Sequence, residues 1–308
     1  MSTSVQIHFH TIDVFTRRRF RGNPLAIILV DRSLTLSQEQ KQLVAREFNL
    51  SETVFIHGVE SSEDPESSFT IDIFTTAEEL PFAGHPTVGA GWLLSQLFPG
   101  REAFTLSTKA GKIPVAKLPT TGVRLQVPID FKEHTPYHFP QLKTKGRQPH
   151  LEAADYVTGI DGADPVASIV KGMSFMLLQL TSEDSLAKFQ AFSSPVRIPN
   201  EHLGAWSGFS SLYIFVVLAD GVTVRTRMFE GTFEDPATGS AASTLCGWLG
   251  KQKGPGSWEF NVIQGVEMGR ESRIGVSVAV GINGEVERID LAGDAVKVME
   301  GTIDIELS

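Results

Sequence analysis

The stretch PTVGAGWLLSQLF at residues 86–98 carries no charged side chain, although its composition predicts a helix. A helix without a polar face has to be surrounded by protein. A second stretch, TGSAASTLCGWL at residues 238–249, has the same character. Because short β-branched and aromatic runs dominate the rest of the chain, we expect a β-sheet to curl around each of these helices.

The two helices belong to an internal repeat. A shift of 155 positions aligns four identical residues of the two halves: Phe74 with Phe229, Glu79 with Glu234, Pro81 with Pro236 and Gly84 with Gly239. His85 falls on Ser240 and, after one inserted position, GWL at 91–93 meets GWL at 247–249. The repeat predicts an α+β chain of two pseudo-symmetric domains, each a mixed β-sheet or barrel wrapped around a central helix. We place one domain at residues 1–129 plus 295–308 and the other at 130–294.

A third helix is predicted at residues 37–48, with Leu43, Val44 and Phe48 on one face. Period-2 and β-branched patterns predict strands at residues 5–14, 25–30, 53–57, 69–74, 124–127, 210–218, 225–228 and 275–280.

Charge and cysteine usage exclude several function classes. The net charge of -9 opposes nucleic-acid binding, which needs clustered cations. The arginines of TRRRFRGNP (16–24) suit a solvated loop or a phosphate or carboxylate contact. The longest apolar run, residues 212–219, is far short of the roughly 20 residues that span a bilayer, so no membrane role is expected. A single cysteine, Cys246, excludes an intrachain disulfide, and with no secretory signal recognisable we expect a cytoplasmic protein.

Each repeat places a polar residue, His85 or Ser240, at the start of a buried helix. Helix N-termini offer unpaired N–H groups and a partial positive charge, so both could bind a carboxylate or phosphate. Ordinary capping by Thr238 or Ser240 is the competing interpretation. Asp235 suits a cap and a catalytic role equally well, whereas its neighbour Glu234 is expected to be exposed or structural.

Glu52, in FNLSETVFI (48–56), lies between the outer helix and a short apolar strand. Capping of a turn or solvent exposure is the usual role of such a glutamate. If the carboxylate is partly buried, its pKa moves toward the range that proton transfer needs. His8 and His10 share a strand face without a third ligand at suitable spacing, so we predict no metal site, and Cys246 is expected to be a packed core thiol.

Six segments taken together resemble the phenazine biosynthesis PhzF-like family. They are DVFT (13–16) with FRGNPLAIIL (20–29), FNLSETVFI, ELPFAGHPTVGAGWLL (79–94), FEDPATGSAAS (233–243), QGVEMGRESRIGV (264–276) and GDAVKVMEGTI (293–303). The resemblance implies the diaminopimelate-epimerase fold, an active site in the cleft between two similar domains, no metal or organic cofactor, and a homodimer.

The resemblance also implies roles for individual residues. Glu52 is the expected proton shuttle, with His85 and Asp235 as supporting catalytic residues. By the same resemblance Ser240 binds the substrate, a small cyclic or amino-acid-like carboxylate. Thr238, Gly239 and Gly84, at the starts of the two buried helices, are further expected substrate-binding residues.

Three functions remain open at this point. The first is a cofactor-independent isomerase with a glutamate shuttle. The second is a lyase or an epimerase that uses carboxylate bases, because a racemase with two thiols is excluded by the single cysteine. The third is a member of the family that binds small molecules or proteins without catalysis.

Overall fold

Strands far outnumber helices in this protein. The computed structural model describes residues 3–59 and 68–307. The strands are β1 (Thr3–Val14), β2 (Asn23–Val30), β3 (Thr53–His57), β4 (Ser68–Phe74), β5 (Glu79–Leu80), β6 (Ala103–Thr108), β7 (Gly111–Lys117), β8 (Val123–Gln126), β9 (Lys132–Tyr137), β10 (Asp164–Val170), β11 (Met173–Gln179), β12 (Phe209–Val217), β13 (Thr223–Glu230), β14 (Phe233–Asp235), β15 (Gly256–Gln264), β16 (Ser272–Val280), β17 (Val286–Gly293) and β18 (Ala295–Leu307). The helices are α1 (Gln38–Phe48), α2 (Gly84–Leu97), α3 (Glu183–Lys188), α4 (Asn200–Leu203) and α5 (Gly239–Lys253), with 3-10 turns at Ala153–Asp155 and Gly204–Trp206.

The chain divides into two compact units. Unit 1 comprises Met1–Gln126 and Ala292–Ser308, and unit 2 comprises Val127–Leu291. The assignment of two epimerase-like domains with limits at residues 129 and 295 stays a prediction.

Unit 1 is built on a mixed set of strands. β1 pairs antiparallel with both β18 and β2, β2 runs parallel to β3, and β3 is antiparallel to β4. β4 then pairs with the short β5 and runs parallel to β6, which leads through antiparallel pairings to β7 and β8.

Unit 2 repeats this order from β11 onward. β11 runs parallel to β12, β12 is antiparallel to β13, and β13 pairs with the short β14 and runs parallel to β15. β15 is antiparallel to β16, while β9 and β11 flank β10. The mixture of parallel and antiparallel pairs confirms the predicted α+β class.

The register of the strands repeats together with their order. The equivalent pairs are Phe74 with Glu79 and Phe229 with Glu234, then Ser68 with Thr105 and Thr223 with Asn261. The shift is 155 on β4 and 156 on β6 (223 minus 68, and 261 minus 105), which is the spacing with one inserted position that the sequence shows. The predicted internal repeat is therefore confirmed at the level of backbone pairing.

The two uncharged stretches form the central helices. α2 packs against β1, β2, β3, β7 and β8, and α5 packs against β10, β11, β15 and β16. Glycine allows this close approach: a Cβ at Gly89 would lie 2.4 Å from Leu25 Cδ2, and one at Gly247 would lie 2.6 Å from Phe131 Cε2. The predicted enclosure of both helices is confirmed.

An outer layer covers the other face of each set of strands. In unit 1, Ser37 caps α1 through a capping box with Gln40, and the helix buries Val44 and Ala45 over β3 and β4. The predicted apolar face was wrong at Leu43, which is exposed, because the buried stripe passes through positions 41, 44, 45 and 48. In unit 2, α3 lies over β12 and β13.

Candidate active site

The first group of predicted site residues lies in unit 1. α1 ends at Asn49, whose left-handed backbone turns the chain, and Glu52 follows just before β3. His85 is the second residue of α2. Their side chains face each other, with 3.6 Å between His85 Nε2 and Glu52 Oε2, and both are largely buried. The structure thus brings together the two residues of unit 1 to which catalytic roles were assigned.

Glu52 is unusual for a buried carboxylate. Burial raises the pKa of Glu52 to about 6, and a hydrogen bond from Ser51 only partly opposes this shift. Its Oε2 accepts no hydrogen bond from any residue at 3–59 or 68–307. A buried polar atom normally has a partner, so an open acceptor here is a sign of function.

Asn23 adds a third side chain to this group. It begins β2, within the FRGNP segment, and is fully buried. Its Nδ2 lies 3.4 Å from His85 Nδ1, on the ring edge away from Glu52. No role was predicted for Asn23 from the sequence, although the residue lies in one of the segments that carry the resemblance.

The second group lies in unit 2, where α5 begins at Gly239 after Thr238. The Thr238 hydroxyl donates to Asp235 Oδ2 at 2.5 Å, and the first helical bond runs from the Ala242 N–H to the Thr238 carbonyl. The N–H groups of Gly239, Ser240 and Ala241 therefore have no acceptor within the helix. Side-chain capping by Thr238, one of the two interpretations of the sequence, does not occur.

Ser240 is half-buried, and its hydroxyl forms no hydrogen bond with the part of the chain that the structure describes. α2 begins in a similar way, because its N-cap, Ala83, has no polar side chain and Pro86 has no N–H. Gly84 and Gly239 are the first residues of their helices, as the aligned repeat predicts.

A buried glutamine that was not predicted from the sequence supports this second group. Gln264 donates from Nε2 to the Asp235 carbonyl at 2.8 Å and to Thr238 Oγ1 at 3.0 Å. Its Oε1 accepts from the Thr238 N–H and from the Tyr213 hydroxyl. Gln264 is the first residue of the QGVEMGRESRIGV segment, but only the tertiary structure brings it to Thr238, 26 positions away.

The other residues singled out in the sequence lie in contacts or in the core of their unit. Glu234 forms two hydrogen bonds with the Arg227 guanidinium, which confirms the expected structural role. Cys246 is completely buried in α5, and burial raises the pKa of its thiol. His10 contacts Glu300 at 3.4 Å, and the described residues contain no cluster of three side chains suited to a metal ion.

The site residues thus form two groups, Glu52 with His85 in unit 1 and Asp235 with Thr238, Gly239 and Ser240 in unit 2. Within the described ranges, no helix is both long enough and apolar enough to cross a membrane.

Three comparisons with known proteins agree with this architecture. The family model for phenazine biosynthesis-like proteins (PhzC-PhzF) matches residues 12–301. An uncharacterized isomerase of Pasteurella multocida is 32% identical over 299 residues, covering 94% of this chain and 91% of that protein. A trans-2,3-dihydro-3-hydroxyanthranilate isomerase of Pseudomonas aeruginosa is 31% identical and covers 94% of this chain and 96% of its own length.

The fold is similar to that of a solved PhzF-family protein from Bacillus anthracis. The TM-score is 0.74 at 23% identity, with 97% of this chain and 99% of that chain covered. The family model spans nearly the whole chain, and the relatives match over nearly their whole length. The chain therefore belongs to the phenazine biosynthesis-like (PhzC-PhzF) family and is an isomerase.

Proposed function

We propose that this isomerase moves a proton between two carbons of a small cyclic or amino-acid-like carboxylate. Glu52 is the proposed shuttle, with His85 and Asp235 as supporting catalytic residues. Ser240, Gly84, Gly239 and Thr238 are the proposed substrate-binding residues. The observation that carries the proposal is the open Oε2 of the buried Glu52, 3.6 Å from His85.

The environment of Glu52 suits both halves of a proton shuttle. A general base works best when its pKa lies near the working pH, because it must both accept and return the proton. Burial brings Glu52 into this range with a pKa of about 6. An ordinary exposed glutamate, with a pKa of roughly 4.3, would be a weaker base.

The proposed reaction is balanced without a redox partner. The Glu52 carboxylate takes a proton from one carbon, and the electron pair of the broken C–H bond moves into the conjugated system of the substrate. The resulting carboxylic acid returns the proton to another carbon of the same molecule. The enzyme is thereby regenerated, and the substrate changes only in the positions of its hydrogen and double bond.

The start of α5 suits the substrate's carboxylate. Gly239, Ser240 and Ala241 present N–H groups that the helix does not use, and the first turn contains no acidic side chain. An anion is stabilised at such a position by these donors and by the helix dipole. The Ser240 hydroxyl adds a donor next to them.

The test follows deuterium by NMR during incubation in D2O. The substrates are trans-2,3-dihydro-3-hydroxyanthranilate, on which the named relative acts, and a panel of small unsaturated and amino carboxylates. Wild type is compared with Glu52→Gln and with Glu47→Gln, an exposed glutamate of α1 that serves as the matched control. We expect Glu52→Gln to lose about 10²- to 10⁴-fold in rate, the usual share of general acid–base catalysis.

The products separate the other functions. Elimination of a group from the substrate would identify a lyase, and inversion at a single carbon would identify an epimerase. Undiminished deuterium transfer by Glu52→Gln would contradict the shuttle. Binding of the panel without exchange by wild type would support a non-catalytic member of the family.

Two further expectations follow from the resemblance. We expect a homodimer, which light scattering after size-exclusion chromatography measures directly. We also expect a cytoplasmic location, which fractionation of the source cells would check.

A further inference from the structure

Thr238 is a suitable capping residue that does not cap its helix. Threonine is favoured at N-caps because its hydroxyl can accept a bond from an N–H of the first turn. In this chain, Ser37 caps α1 and Ser182 caps α3 in this way. Thr238 has the corresponding position and an extended backbone, yet its side chain makes no capping bond to α5.

The reason lies in the partners of the Thr238 hydroxyl. It donates its only hydrogen to Asp235 Oδ2 at 2.5 Å and accepts from Gln264 Nε2 at 3.0 Å. The Gln264 N–H thus occupies an acceptor position of the hydroxyl oxygen that an N–H group of the first helical turn would use in a capping bond.

Every hydrogen-bonding group of the Gln264 side chain has a partner. Its side chain is completely buried, and both its amide donors and its oxygen are used. The nitrogen donates to the Asp235 carbonyl and the Thr238 hydroxyl, and the oxygen accepts from the Thr238 N–H and the Tyr213 hydroxyl. The Thr226 hydroxyl lies 3.5 Å from the same oxygen. Three of these contacts hold the turn from Asp235 to Thr238, and the other two anchor the amide itself to β12 and β13.

Removal of the amide would leave the Thr238 hydroxyl bonded to Asp235 and free its oxygen to accept another hydrogen bond. A capping bond is then the favourable alternative, because the first-turn N–H groups are unused. A ligand carboxylate would have to displace this cap before it could bind the same donors. Its affinity would fall by the equilibrium constant of the cap, which corresponds to about 3- to 30-fold for typical N-caps.

We propose that Gln264 is a positioning residue that keeps the N-terminus of α5 open for the substrate's carboxylate. This inference rests on the proposed function, since it deepens the role given there to Thr238, Gly239 and Ser240. It assigns Gln264 no contact with the substrate. Its effect is exerted through the hydrogen bonding of one hydroxyl group.

The test measures binding of anthranilate, a stable aromatic amino carboxylate, from the shifts of the Gly239 and Ser240 amide signals in ¹⁵N NMR spectra. We expect Gln264→Met to weaken binding about 3- to 30-fold through the capping bond. Gln264→Glu keeps the shape of the side chain and its acceptor oxygen and serves as a second variant if methionine prevents folding. It should weaken binding as well, because an ionised glutamate has no N–H to donate.

The matched control is Tyr213→Phe, which removes the hydrogen bond on the far side of Gln264 and leaves both amide donors in place. It should change the affinity by less than about 2-fold, although it also disturbs the buried network. A second check is Gln264→Met combined with Thr238→Val. With no hydroxyl to form a cap, the methionine should cause no further loss relative to Thr238→Val alone.

Three results would overturn the inference: wild-type affinity in both Gln264 variants, an equal loss in Tyr213→Phe, or a full loss from Gln264→Met in the Thr238→Val background. A wild-type protein whose Gly239 and Ser240 amides do not respond to anthranilate would overturn it too. The deuterium experiment measures proton transfer by Glu52, which lies in unit 1, whereas Gln264 lies in unit 2. Failure of the shuttle and failure of the Gln264 inference are therefore observed separately.

Discussion

The buried carboxylate of Glu52 should lower the stability of the folded protein at the pH at which Glu52 is proposed to work. Burial raises its pKa from 4.5 to about 6, so the folded state binds the proton more tightly than the unfolded chain does. Well below pH 4.5 both states are protonated and the penalty vanishes. Above pH 6 the ionised carboxylate remains buried, and the penalty reaches its full value.

The size of this penalty follows from the shift. About 1.5 pKa units at about 1.4 kcal/mol per unit give about 2 kcal/mol. Glu52→Gln keeps the shape of the side chain and removes the charge. The variant should be more stable than wild type by about 2 kcal/mol at pH 8 and equally stable at pH 4.

Urea unfolding at pH 4, 5, 6, 7 and 8, followed by tryptophan fluorescence, measures this difference. For slopes of about 2–3 kcal/mol/M, the midpoint of Glu52→Gln should lie roughly 0.7–1 M above that of wild type at pH 8. Glu47→Gln, the exposed control, should stay within about 0.5 kcal/mol of wild type throughout. An offset for Glu52→Gln that is independent of pH would refute the reasoning, because it would show that ionisation of Glu52 is not what burial penalises.

Three other predictions concern packing and buried charge. Gly89→Ala places a Cβ 2.4 Å from a leucine side chain of β2 and should cost about 1–3 kcal/mol in thermal unfolding, whereas Gly100→Ala, with open space around it, should be nearly neutral. Lys143→Met leaves the buried Asp164 carboxylate without its ion pair and should cost about 3–5 kcal/mol in urea unfolding, and an unchanged midpoint would show that the pair is dispensable. Cys246 should resist alkylation by iodoacetamide at pH 8 until the protein is unfolded, since its thiol is buried with a raised pKa, and rapid labelling of the native protein would contradict this placement.

The sequence predicted the centre of each unit better than its edges. The uncharged stretches at 86–98 and 238–249 had no polar face to expose, so they had to be enclosed, and the many β-type runs of the chain favoured strands around them. Several strands were not predicted, among them β6, β7, β10, β11 and β15. β9 lies in the proline-containing stretch at 128–147, and little of this strand is buried. Leu43 was assigned to the wrong side because a helix of three turns allows two neighbouring apolar stripes.

Among the proposed site residues, Glu52 and His85 were each singled out in the sequence, but their 3.6 Å contact depends on how β3 and α2 pack. The position of Gln264 could not be predicted from the sequence at all. Its hydrogen bonds reach Asp235 and Thr238 across the end of β15, and no local pattern marks a buried amide as the partner of a helix start.

Because the strands of the two units pair in the same register, each position in one unit can be compared with an equivalent position in the other. Glu52 and Ser211 each come immediately before the residue that pairs with the aligned phenylalanine, Phe74 or Phe229. The Ser211 hydroxyl donates to the Phe229 carbonyl at 3.1 Å, so the second copy holds an alcohol engaged with its own backbone where the first copy holds an acid. A duplicated ancestor with identical halves would have carried the same residue twice. Divergence at this one position leaves the proposed shuttle carboxylate in one half only.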